Sequence, residues 1–250
     1  MSRRPHRDVA DGLVLLARGL GMWLSSPRLM LLGLLPALIA FVVLAGGFVT
    51  LCVFLGPLDH ALTPYADGWG ETARTTLHLV VGIALLGVAL LLAILAYAGL
   101  TLAIGDPFYE RIAVRVEEPY GGVPDAAELP WWRGLRDGIR LAVWSLVTGV
   151  LLFAAGFLPV VGQTVVPVIG VLVGGWALAL ELTSVAFERR GASLRDRRVA
   201  LRRHRLTALT FGAATFLLFM IPLGAVIVMP GAVAGATLLA RRTLGLPVTR

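Results

Sequence analysis

Charged side chains are missing from four long stretches of the chain, Leu29–Leu58, Thr75–Gly105, Leu141–Leu180 and Leu206–Ala240, and return in clusters between them. A helix crosses the hydrocarbon of a bilayer in about 20 residues. The first two stretches therefore each predict one tilted spanning helix. The last two are longer and carry internal proline and glycine. In the segment FLPVVGQTVVPVIG (157–170), Pro159 and Pro167 lie eight apart, with Gly162 between them. Proline and glycine end one helix and start the next, so the spacing predicts a turn near Pro159–Gln163. Each arm is about 18 residues, or roughly 27 Å of helix. A single kinked span is the alternative, and forty residues exceed what one span needs. The segment IPLGAVIVMPG (221–231) repeats the device with Pro222, Gly224 and Pro230. Its arms are shorter and are expected to dip into the bilayer. Backbone freed at such tips must be buried in protein or line a wet cavity. Two of them point to a path for a polar solute, although a proline turn is also the simplest link between antiparallel helices.

Amphipathic patterns occupy the intervals. Asp8–Ser25 places Val9, Leu13, Leu16, Leu20 and Trp23 on one face, as expected of a helix lying on a membrane surface. In 107–118, Phe108, Ile112 and Val116 share a face, with Asp106 as a cap and Pro107 in the first turn. Ser193–Asp196 resembles a capping box opening a helix rich in arginine. The expected architecture is an all-α integral membrane protein forming a single domain over 1–250. It comprises an interfacial helix (8–25), spanning helices (29–58 and 75–105), a second interfacial helix (107–118), one hairpin (141–187), a basic helix (193–205) and a second hairpin (206–240).

Composition agrees. The 250 residues are 58% hydrophobic and 15% charged, with a mean hydropathy of +0.85. Soluble domains carry about 25% charged residues, so the natural solvent of this chain is a bilayer. A cleaved signal peptide is not expected, because the first apolar run starts only at Leu29 and is too long. The lone cysteine, Cys52, excludes an internal disulfide. All basic residues are arginine, and their distribution sets a topology. Five lie in 1–28, one in 59–74, five in 106–140, eight in 188–205 and three after Ala240. Arginine-rich segments stay in the cytoplasm, which predicts an inner-membrane, multi-pass protein with both ends inside and the 59–74 loop outside. The basic helix could attract nucleic acid, but an anchor on anionic lipid is the better reading, and no nucleic-acid partner is expected. No catalytic set, metal spacing or phosphate-binding loop is present, so neither enzyme chemistry nor a cofactor or metal is expected.

Some polar positions stand out. Glu181 lies inside an apolar run, where a carboxylate is a functional candidate or an interface residue paired with arginine. Gln163 and Thr164 join it as candidate pathway residues. Ser25-Ser26-Pro27-Arg28 reads as a helix start, with Ser26 as N-cap and Pro27 in the first position. Unpaired N–H groups and the helix dipole there favour an anion, and Arg28 adds a forked cation suited to a tetrahedral oxyanion. Ser25, Ser26 and Arg28 are thus candidate anion ligands. An arginine that only snorkels to anchor the helix would look the same.

Four motifs resemble the CysZ-type sulfate permease family, which shares its domain with etoposide-induced membrane proteins. They are 26–36 (SPRLMLLGLLP), 106–117 (DPFYERIAVRVE), 157–162 (FLPVVG), and 205–212 together with Ile221-Pro222, Met229-Pro230 and 232–237. The chain departs from the family at Gly224-Ala225, where members often carry Asn, and at 184–190, where they are more aromatic and acidic. The resemblance implies two long spanning helices, two hairpins that partly penetrate the membrane, and a homo-oligomer. It also implies sulfate uptake for cysteine synthesis. A membrane scaffold that transports nothing is the rival reading.

Overall fold

The protein is described by a computed structural model covering residues 5–124, 126–127, 130–221 and 223–248. The described residues are helical apart from turns and short connections. Among the described residues nine α-helices follow one another: α1 (Pro5–Ser25), α2 (Pro27–Leu62), α3 (Glu71–Glu117), α4 (Trp131–Gly156), α5 (Val161–Leu182), α6 (Ser184–Glu188), α7 (Leu194–Arg203), α8 (Arg205–Phe219) and α9 (Gly224–Thr243). Five of these helices, α2, α3, α4, α5 and α9, are long and apolar enough to cross a membrane.

The chain forms two compact units, Leu34–Asp106 and the remainder, Met1–Gly33 with Pro107–Arg250. The first holds most of α2 and α3. Its buried positions are small, such as Ala37 and Ala40. Inside it the Tyr97 hydroxyl donates to the Ala37 carbonyl at 3.4 Å, and Thr63 meets His78 Nδ1 at 3.2 Å. Most of its large apolar side chains face outward, as a lipid environment requires.

One expectation is corrected at the end of α3. Asp106 and Pro107 do not open a separate helix, because α3 runs through both to Glu117. Proline forfeits one N–H and crowds the preceding turn. The residues beyond it, Tyr109, Ile112, Ala113 and Val116, are buried in a hydrophobic core.

The larger unit is arranged around α9, whose residues 230–241 are all buried. Helices α1 and α8 pack along α9, α5 packs on α8, and α4 on α5. Glycine lets these helices approach backbone to backbone. A Cβ on Gly19 would overlap Gly231 and Gly235 of α9, and one on Gly212 would overlap the Gly175 carbonyl of α5. The buried face of α1 is consequently Gly12, Leu15, Leu16, Gly19 and Trp23, while Val9 and Leu13 are exposed. The face read from large residues alone is displaced, because glycine rather than leucine makes the contact.

The two turns share a construction. Between α4 and α5 the left-handed residue is Val160 (φ 65°), and before α9 it is Leu223 (φ 61°). Neither is a glycine. Gly162 and Gly224 serve instead by close approach. A Cβ on Gly162 would overlap the Gly156 carbonyl, and one on Gly224 the Leu218 carbonyl, each six residues back. Pro159 lies in the first turn, Pro167 and Pro230 lie inside helices, and Pro222 falls outside the described residues.

Candidate functional site

The junction of α1 and α2 is a single residue. The Ser25 hydroxyl donates to the Met22 carbonyl at 3.3 Å and closes α1. The Ser26 N–H donates back to Trp23, and the Ser26 carbonyl accepts from the Met30 N–H at 2.9 Å. Ser26 is therefore the residue from which α2 starts, with Pro27 in its first position. Arg28 follows in the first turn and is exposed. Trp23, near the end of α1, is buried, and its indole N–H has no hydrogen-bond partner among the described residues. Asp11 pairs with Arg242 at the opposite end of α1. Fourteen residues of helix separate Asp11 from Ser25, or roughly 21 Å. Arg28 is thus remote from the arginines at that end of the unit.

That other end is built from ion pairs and capped helix termini. Glu117, 1% exposed, accepts from Arg190 Nη2 at 2.6 Å, and Arg190 Nη1 donates to the Ala186 carbonyl at 2.6 Å. Arg197, 2% exposed, donates to the Leu180 carbonyl at 2.8 Å and to Glu188 at 3.1 Å. It thereby satisfies a carbonyl of the last turn of α5, which has no partner within the helix. Burial pushes the Arg197 pKa down, while Glu188, Glu181 and Asp137 oppose that shift. The Arg241 guanidinium lies 4.4 Å from the Tyr120 ring centre, and the Tyr120 hydroxyl donates to the Val248 carbonyl at 3.0 Å. Segments from 106–140, 188–205 and the region after Ala240, which the arginine count assigns to one side, meet here.

The candidate pathway residues do not converge. Gln163 and Thr164 are exposed at the start of α5, with the Thr164 hydroxyl donating to the Val160 carbonyl at 2.7 Å. Glu181 is at the other end of the same helix, roughly 27 Å away along its axis. It lines an apolar cavity of about 1080 Å³ between α4, α5 and α8.

Sequence reading missed Glu117, Arg190 and Arg197. A signal existed for the first. Tyr109, Ile112, Ala113, Val116 and Glu117 follow the i, i+3, i+4, i+7, i+8 spacing of one helix face, which places the carboxylate among buried groups. Nothing local marks Arg190 or Arg197 among eight clustered arginines.

Residues 15–230 match the family model described as Sulfate transporter CysZ/Etoposide-induced protein 2.4. The chain belongs to this family. The match takes in the α1–α2 junction, both turns and the Glu117–Arg190 pair. Membership in the CysZ/etoposide-induced family, together with several long apolar helices, identifies a multi-pass membrane protein of a group named for sulfate transport.

Proposed function

We propose that the protein is an inner-membrane permease for sulfate or a similar tetrahedral oxyanion, supplying sulfur assimilation and cysteine synthesis. The observation that carries this reading is the family match over residues 15–230. In the proposed arrangement α2 and α3 span the membrane, the α4–α5 and α8–α9 pairs penetrate it in part, and both chain ends face the cytoplasm. Copies of the chain associate into a homo-oligomer. With no nucleotide-binding motif in the sequence, uptake is passive or ion-coupled.

The anion site belongs at Ser25, Ser26 and Arg28. Two features support it over an anchoring role for Arg28. The first-turn N–H groups of α2 lie beside an exposed, forked cation. Arg28 also follows Ser25, which lies about 21 Å along α1 from Asp11 and its partner Arg242, whereas an anchor would be expected among its like.

A non-transporting scaffold is the second reading. It is favoured by the carbon-lined walls of the 1080 Å³ cavity, which offer an anion little. Sulfate flux into proteoliposomes, with selenate and phosphate as competitors, separates the two. Uptake above empty vesicles that Arg28→Gln reduces is the expected result. No uptake at any sulfate gradient favours the scaffold.

A further inference from the structure

The apolar cavity is an open groove along α4 and α5, closed at one side by α8. Its depth comes from glycine. At Gly138, Gly149, Gly156 and Gly170 no atom lies within 4 Å of where a Cβ would stand. From Gly138 to Gly156 the groove follows roughly 27 Å of helix. The acyl chains of one leaflet extend about 15 Å, half the hydrocarbon thickness, so a chain fits along it with room to spare.

At its Gly138 end the groove adjoins a second cavity of about 650 Å³ of opposite character. The first turns of α4 contribute Arg133, Arg136 and Arg140, and the start of α7 contributes Arg195 and Arg198. The two acids in this cleft are already engaged and do not balance its five arginines. Asp137 accepts the Leu194 N–H at 3.1 Å and lies 4.0 Å from Arg140, and Glu188 holds Arg197. Glu181, at the same end of the groove, faces the charge of Arg197. The cleft therefore keeps a surplus of forked cations beside the mouth of a carbon-lined channel. A free sulfate would use a small part of the cleft and none of the groove. A helix from a second copy would fill the groove and leave the arginines unanswered.

We propose that cleft and groove together bind one anionic phospholipid, its phosphate among Arg133, Arg136 and Arg195 and an acyl chain along α4 and α5. This assignment does not depend on whether sulfate crosses the membrane. It is tested with full-length protein stripped of lipid in an uncharged detergent, by thermal shift and by counting lipid retained after purification. Phosphatidylglycerol should raise the melting temperature, and phosphatidylcholine with the same chains should not. Soluble glycerol phosphate and sulfate should each do far less than phosphatidylglycerol. Arg133→Gln, Arg136→Gln and Arg195→Gln should each weaken phosphatidylglycerol about fivefold, the usual attraction of one cation to an anionic surface. Gly149→Phe and Gly170→Leu occupy open space and should lower lipid retention while the lipid-free melting temperature holds. Equal stabilisation by both lipids overturns the proposal, as does stabilisation by sulfate or glycerol phosphate alone matching that by lipid. Groove variants that change oligomer size but leave lipid retention untouched also overturn it, and assign the groove to a second copy.

Discussion

Of two helices long enough to cross a membrane, α2 is the more apolar and the less buried. Only 6% of its apolar window is buried within the protein, against 72% for α9. In water the order would be reversed, because leucine gains by leaving the solvent. In hydrocarbon leucine gains little by touching another helix, and contact goes to residues that let backbones close in. Helix α9 supplies these as Gly231, Ala232, Ala234, Gly235 and Ala236, all buried. Helix α2 presents Leu31, Leu38, Phe41, Val42 and Val53 outward. Hydropathy marks what lipid can cover, and small residues mark what protein covers.

Glycine substitutions test this contrast most severely. Gly212→Leu drives a side chain into the Gly175 backbone, and overpacking of this kind costs about 3 kcal/mol or more where backbone must move. Folded, monodisperse yield should collapse. Gly162→Leu and Gly224→Leu should follow it, each meeting a carbonyl six residues back. Gly46→Leu, Gly47→Leu and Gly87→Leu, with nothing nearby, should elute and melt like the parent. Equal tolerance across both groups would abolish the distinction between the helices.

Next in size is the buried Glu117–Arg190 pair. Arg190→Ala leaves a carboxylate uncompensated, and breaking a buried pair costs about 3–5 kcal/mol. Thermal denaturation in detergent should show a large loss, partly restored in the double variant Glu117→Leu, Arg190→Leu. Arg28→Gln, at an exposed position, should melt unchanged. A smaller effect is expected on function. Arg28→Lys keeps the charge but loses the fork, and sulfate binding should weaken about tenfold, the worth of one charge-assisted hydrogen bond. Unchanged binding with intact topology would leave Arg28 an anchor.

The smallest effect concerns α7. Ser193 and Asp196 form a capping box, and Ser193→Ala should cost about 1 kcal/mol. The Ser193 hydroxyl and N–H hold the Asp196 carboxyl below the usual aspartate range. A depressed folded pKa contributes stability above the unfolded value, about 4, which is lost as pH falls through the folded one. Protection factors of the α7 amides, corrected for the intrinsic pH dependence of exchange, should therefore fall at acidic pH in the parent, and Ser193→Ala should blunt that response.

The apolar runs, the turn positions and the capping box were legible because each has a local signature of hydropathy, proline spacing or cap chemistry. The helix start at Ser26-Pro27 was legible for the same reason. Gly162 and Gly224 could serve the turns by unusual backbone angles or by close approach, and the structure shows close approach, the non-glycine positive-φ residues being Val160 and Leu223. No propensity marks an exposed valine for φ near 65°. The face of α1 was misread because glycine carries no hydrophobic signal while making the closest contacts. Arg190 finds Glu117 across 73 residues of chain, a pairing that sequence pattern alone does not reveal.

The pairing of α1 with α9 has a consequence for biogenesis. Asp11 and its partner Arg242 are 231 residues apart. At about 5–20 residues per second of synthesis, α1 waits roughly ten to fifty seconds for the helix that covers its glycines. During that interval its free face is amphipathic and has a bilayer surface beside it. The membrane-surface pattern in its sequence would suit α1 to wait there, and α9, the last of these helices to leave the ribosome, completes the packing of the larger unit.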